Sequence, residues 1–197
     1  FERIIAVTNL HESMWIDGAK SNVFRRCVFH CVNQTAVYVS GSGNELENSV
    51  CRTESGTCLT SEGAGLARVA NCILMGQWVT RSIYLPLRGS NNVVLATGVV
   101  DSDVETLADV QRINTNWTRN AVANPMLVST NPMDGHLLSP AGYVTNWGGW
   151  VTNPAVGYSP AIDFGAQSAS VGAEPNPNGG RVNVGLYGGT AEASKSR

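Results

Sequence analysis

The densest group of acidic side chains is Asp101-x-Asp103-x-Glu105, with Asp109 close behind. Alternating carboxylates supply hard oxygen ligands, so Asp101, Asp103 and Glu105 are the candidate metal ligands and Ca2+ the candidate cofactor. No EF-hand or nonapeptide Ca2+ repeat surrounds them, and a solvated loop entering a helix over 103–113 accounts for the same acids through the helix dipole. Five cysteines stand at 27, 31, 51, 58 and 72. Their spacings, Cys27-x3-Cys31 and Cys51-x6-Cys58, do not match zinc-site spacing. An odd number leaves at least one thiol free or paired between chains, and Cys31, Cys51 and Cys58 are the disulfide candidates. His11, His30 and His136 are far apart and lie near no Ser or Cys elbow motif. Asp163 and Arg181 are read as a structural pair that locks the C-terminal region rather than as catalytic groups.

What positions these residues is a β-rich framework. The 197 residues are 43% hydrophobic and 14% charged, with 23 Val, 18 Asn and 21 Gly. Valine favours strands, whereas Asn and Gly supply turns and left-handed backbone. A net charge of -2 and a pI near 5.9 argue against a nucleic-acid binder that works by counterion release. The cations, 11 Arg and 2 Lys, are scattered, and no apolar run approaches the ~18 residues of a membrane span. The chain opens at Phe1 without an initiator Met, which suggests a processed leader or a piece of a longer protein.

Self-similarity sets the architecture. Blocks beginning at Asn22, Asn44, Ala67 and Asn92 each carry an apolar third residue (Phe24, Leu46, Val69, Val94) and a small sixth one (Cys27, Ser49, Cys72, Thr97). Each closes on an apolar eighth residue (Phe29, Cys51, Leu74, Val99), and the starts lie 22, 23 and 25 residues apart. A second strand recurs out of phase at 14–17, 36–39, 58–60 and 83–85. Short strands returning every twenty-odd residues predict a coiled β-solenoid, in which Phe24, Leu46, Val69 and Val94 form one inward ladder. Asn22, Asn44 and Asn92 would share one corner and hydrogen-bond from rung to rung. Cys27 and Cys72 would sit two rungs apart, near 9.6 Å by strand spacing of about 4.8 Å, too far for a disulfide. A β-sandwich with evenly spaced hairpins is the competing architecture.

The pattern Asn-x-φ-x-x-Cys-x-φ followed by Tyr38-Val-Ser-Gly-Ser-Gly-Asn44 resembles the right-handed parallel β-helix repeats of the pectate-lyase-like superfamily in bacterial extracellular proteins. Asn124-Pro-Met-Leu-Val-Ser129, Gly135-His-Leu-Leu-Ser-Pro-Ala-Gly142, Ser159-Pro-Ala-Ile-Asp163 and Glu174 through Ser194 are similar to segments that close such modules in large surface proteins. The resemblance implies an all-β fold, a right-handed parallel β-helix with a Pro/Gly/Asn-rich wrapping or capping C-terminal segment. Lyases of that class use Ca2+-binding carboxylates beside an Arg or Lys base. Here Asp17, Arg25, Arg26, Arg52, Arg68 and Arg81 fall on the rungs without aligning to that constellation, and Gly18 stands where the lyase segment has His.

The organisation that follows is β-helix rungs over 1–122, an irregular closing segment over 123–189 and a tail or linker over 190–197. Seven of the eight prolines follow position 124, which argues against continuous central strands there. Tyr143, Trp147 and Trp150 anchor that segment and are the candidate glycan contacts. The expected function is a non-catalytic structural module of an exported cell-surface or filament protein. It would associate end to end with itself or with neighbouring β-helix modules, because an uncovered first rung exposes strand edges; the alternative is that a segment upstream of Phe1 caps that rung in the intact protein. The alternatives are a polysaccharide lyase or hydrolase and a glycan-binding module, with polysaccharide as the partner.

Overall fold

In the computed structural model, residues 1–8, 11–61, 64–80, 88–98, 117–131, 133–145 and 148–197 are described. Among them there is no helix, and every long-range strand pairing before residue 123 is parallel. The chain coils as a parallel β-solenoid with three faces.

Face one stacks β3 (Val23–Arg25), β6 (Ser42–Glu47), β9 (Ala64–Ala70), β11 (Arg88–Ser90) and β13 (Trp117–Thr118). Face two stacks β1 (Ile5–Thr8), β4 (Val28–Cys31), β7 (Val50–Thr53), β10 (Ile73–Thr80), β12 (Val93–Gly98) and β14 (Ala121–Val122). Face three stacks β2 (Met14–Ile16), β5 (Val37–Val39) and β8 (Thr57–Ser61), and β8 pairs with the far half of β10, so the long β10 runs across two faces.

The inward ladder holds for three of its four rungs. Phe24 is in register with Leu46, and Leu46 with Val69, all buried. Val94 departs from it. It lies on face two beside Leu74, continuing the row Phe29, Cys51, Leu74. The reason is a short coil. The Cys72 amide bonds to the side chain of Asn92 only 20 residues on, so Asn92 occupies the corner of Cys27, Ser49 and Cys72 rather than that of Asn22 and Asn44. Asn22 and Asn44 do share a corner, where Asn22 donates from Nδ2 to Asn44 Oδ1 at 2.9 Å.

The second corner repeats a backbone device. Arg26, Asn48, Asn71, Asn91 and Arg119 all have φ between 46° and 56°, and each directly precedes the corner residue. At the corner the Cys27 amide donates to Ser49 Oγ, the Cys72 amide to Asn92 Oδ1 and the Asn92 amide to Asn120 Oδ1, at 2.9–3.0 Å. Side chains therefore satisfy amides that the bend removes from the sheets.

Two apolar layers result from strand alternation. Phe29, Cys31, Cys51, Leu74 and Val94 point into the coil with Phe24, Leu46, Leu59 and Val69. Their neighbours Val28, Val50, Ile73 and Val93 point out, where Leu137, Ala161, Val184 and Leu186 of the closing segment cover them. Close approach needs glycine at 185, whose φ is +100° and where a Cβ would lie 2.7 Å from Ile73 Cδ1. Asn71 ties the layers by accepting from the Ala166 amide at its Oδ1 and from the Gly185 amide at its carbonyl, both 2.9 Å.

Among the described residues the closing segment has an antiparallel ribbon, β15 (Tyr143–Val144) with β16 (Trp150–Val151), and an antiparallel bridge between Leu127 and Leu137. Elsewhere it is held by side chains of Asn124, Asn131, Asp134, Ser139, Asn153, Ser159 and Asn178, each accepting from the amide two residues on. Residues 190–197, expected as a tail or linker, are built into this segment. Ala193, Ser194 and Ser196 are buried, and Ser196 bonds to the Pro177 carbonyl through its amide and to Asp163 Oδ1 through its hydroxyl.

Candidate functional site

The structure brings Asp134, His136, Tyr187 and Glu192 together in the closing segment. The short turn at 134–136 is set by Asp134 Oδ1, which accepts the His136 amide at 3.0 Å. The same oxygen lies 2.6 Å from His136 Nδ1, which assigns the proton of the neutral ring to Nδ1. The ring stacks on Tyr187 with centroids 3.7 Å apart and planes 12° apart. Its Nε2 faces Glu192 Oε2 at 3.4 Å. His136 and Asp134 are buried, whereas Glu192 is open to solvent.

These groups border a cavity of about 260 Å³ that Asn131, Met133 and Thr145 also line. Tyr187 and Glu192 are shared with a second cavity of about 190 Å³, reaching Arg3, Ile5 and Arg26 of the first coil. Both His136 Nε2 and Asp134 Oδ2 are buried with no hydrogen-bond partner. Burial, reinforced by Glu192 and Asp134, pushes the Tyr187 phenol up to about 12, so it stays neutral. The dyad can hold a proton at Nε2 or offer its lone pair to a cation. A sequence signal for it existed in Asp134-x-His136, but Tyr187 and Glu192 are over 50 residues away in the chain and carry no motif.

Glu174 is the other perturbed acid. Its Oε1 accepts the Asn183 and Gly189 amides, both at 2.8 Å, while Oε2 is buried and unpartnered. Burial pushes its carboxyl up to about 7 against those two hydrogen bonds.

The residues singled out from sequence fare differently. Asp163 and Arg181 do not face each other. Asp163 Oδ1 accepts from the Ser196 hydroxyl, and Arg181 Nη2 donates to the Phe164 and Gly165 carbonyls, so each ties the segment separately. Cys31, Cys51 and Cys58 are not bridged: all five cysteines are free and buried, since they serve as small inward residues of the coil. Burial raises the thiols of Cys27, Cys51, Cys58 and Cys72. Tyr143 is buried, and Trp150 is exposed with Lys195 Nζ 5.3 Å from its ring centre. Trp147, Asp101, Asp103, Glu105, Asp109 and Arg81 lie outside the described residues, as do the strand expected at 83–85 and the helix expected at 103–113. An aromatic pair that the sequence did not single out is the exposed Trp15 against the half-buried Tyr38 on face three, centroids 4.5 Å apart.

Arg25, Arg26, Arg52 and Arg68 on the rungs are engaged. Arg25 and Arg68 both grip Glu47, Arg68 also reaches Glu45, Arg26 meets Glu2, and Arg52 donates to the Thr130 carbonyl. Asp17 accepts from the Ser40 hydroxyl at 2.5 Å. Among the described residues no group of three or more His, Cys, Asp or Glu side chains is gathered for a metal, and no helix is long and apolar enough to cross a membrane. Comparison with protein families, with curated proteins and with solved structures finds no match.

Proposed function

We propose that this chain is a non-catalytic structural module of an exported cell-surface or filament protein of the pectate-lyase-like kind. In that role it extends end to end by accepting a further parallel rung on its first coil. The observation that carries this reading is the outer edge of the first coil as it stands in this chain. Among the described residues β1 pairs only with β4 and β2 only with β5, leaving their outer edges unpaired. Between them opens an apolar mouth of about 320 Å³ lined by Phe1, Ile4, Ala6, Met14, Ile16 and Phe24. Phe1 is 69% exposed yet stacks on Phe24 at 5.1 Å, so the inward ladder continues to the rim.

An edge with an apolar core beneath it matches the surface that each inner rung already presents to the next, and another such rung is the occupant that fits both. Arg25, Arg26, Arg52 and Arg68 support this over lyase chemistry, because they are spent in ion pairs and backbone contacts rather than held free as a base. Light scattering after size exclusion, with negative-stain imaging, tests the reading. The expected result is concentration-dependent end-to-end association, abolished by Ala6→Glu, which sets a charge in the mouth. A strictly monomeric species at high concentration would overturn self-association.

A further inference from the structure

We propose that His136 and Glu192 form an open binding site for a first-row divalent ion, Zn2+ foremost, with Asp134 as the positioning residue behind the histidine. With Nδ1 bonded to Asp134, the neutral ring carries its lone pair at Nε2, which faces a carboxylate oxygen 3.4 Å away. Two acceptors facing each other repel unless a proton or a metal ion lies between them. The separation is longer than a good N–H···O bond, for which about 2.9–3.0 Å is usual. It equals the edge of a tetrahedral zinc shell, about 3.3–3.5 Å for ligands at 2.0–2.15 Å from the metal.

The surroundings fit the same occupant. A metal-bound imidazole commonly donates its other N–H to a carboxylate, which fixes ring and tautomer, and Asp134 does this at 2.6 Å. Stacking on Tyr187 holds the ring plane. Glu192 is half exposed at the cavity rim, so the ion has an entry path and room for water in its remaining positions. Only two side chains reach the ion. The site is therefore weak and exchangeable, unlike a closed structural zinc centre. Because Glu192 lies near the end of the chain and His136 in the 134–136 turn, the ion would also staple these two stretches together.

Titration of the intact chain with ZnCl2, followed by calorimetry, and with CoCl2, followed by visible absorption, tests this. The expected result is one ion per chain, tetrahedral Co2+ bands and a raised Tm. Glu192→Gln, at a largely exposed position where folding is not at stake, should weaken binding at least tenfold. His136→Gln should remove the Co2+ bands, and Asp134→Asn should weaken binding about 10- to 100-fold through loss of orientation. His11→Gln should change nothing. Absence of binding even at millimolar Zn2+ overturns the proposal. So does binding that survives both Glu192→Gln and His136→Gln.

Discussion

Replacing Asn92 with alanine tests the corner ladder directly. The Asn92 side chain is fully buried. Its Oδ1 accepts the Cys72 amide at 2.9 Å, and its Nδ2 donates to the Val69 carbonyl at 3.1 Å and to Asn120 Oδ1 at 2.9 Å. Alanine leaves the Cys72 amide buried without a partner, which costs about 1–3 kcal/mol, and forfeits two further bonds at about 1 kcal/mol each. Asn120 Oδ1 keeps the Asn92 amide, so it is not orphaned. The total is about 3–5 kcal/mol. Serine is the informative control, because Ser49 at the equivalent corner accepts the Cys27 amide at 3.0 Å and returns its proton to the Glu47 carbonyl at 2.7 Å. Asn92→Ser should therefore retain the Cys72 bond and cost about 1–2 kcal/mol. Urea denaturation followed by circular dichroism reads the difference as a shift in midpoint, about 1–3 M for alanine at a slope near 2 kcal/mol/M. If alanine and serine lose the same stability, or if alanine costs under about 1 kcal/mol, the side chain is not what satisfies the corner.

Two further outcomes follow from the buried titratable groups. The Glu174 carboxyl is raised to about 7 from 4.5, so the folded state holds its proton more tightly than the unfolded state. Stability from this group is full below pH 4.5 and falls as pH rises towards 7, by on the order of 3 kcal/mol. Glu174→Gln should flatten that slope and gain stability relative to the parent at pH 8 but not at pH 4.5, and parallel Tm-against-pH curves for the two proteins would refute it. The five buried thiols should react with a thiol reagent only on unfolding, because burial shields all five and raises the thiols of Cys27, Cys51, Cys58 and Cys72. Rapid stoichiometric labelling of the native chain would contradict their inward placement.

Sequence alone determined the solenoid, because its cause is local. A short strand of two to eight residues followed by a turn repeats with a near-constant period, and alternation decides which side chains enter the coil. Phe24, Leu46 and Val69 could be placed in register for that reason. Val94 could not, because an Asn begins one corner in Asn22 and Asn44 and forms the other in Asn92 and Asn120. Spacing cannot distinguish the two when one coil shortens to 20 residues and the next lengthens to 28. The irregular character of the closing segment was legible in its Pro, Gly and Asn content, but its path was not. Only tertiary packing shows that Leu137, Val184 and Leu186 cover the outward residues of face two, which turns a half-exposed sheet into one buried on both sides. The same wrapping carries Glu192 to His136 and Ser196 to Asp163, pairs separated by 56 and 33 residues. No periodic signal links such residues, since they meet through the shape of the covered face rather than through any repeat. Arg181 illustrates the point: its charge suggested a carboxylate partner, and packing gave it two backbone carbonyls instead.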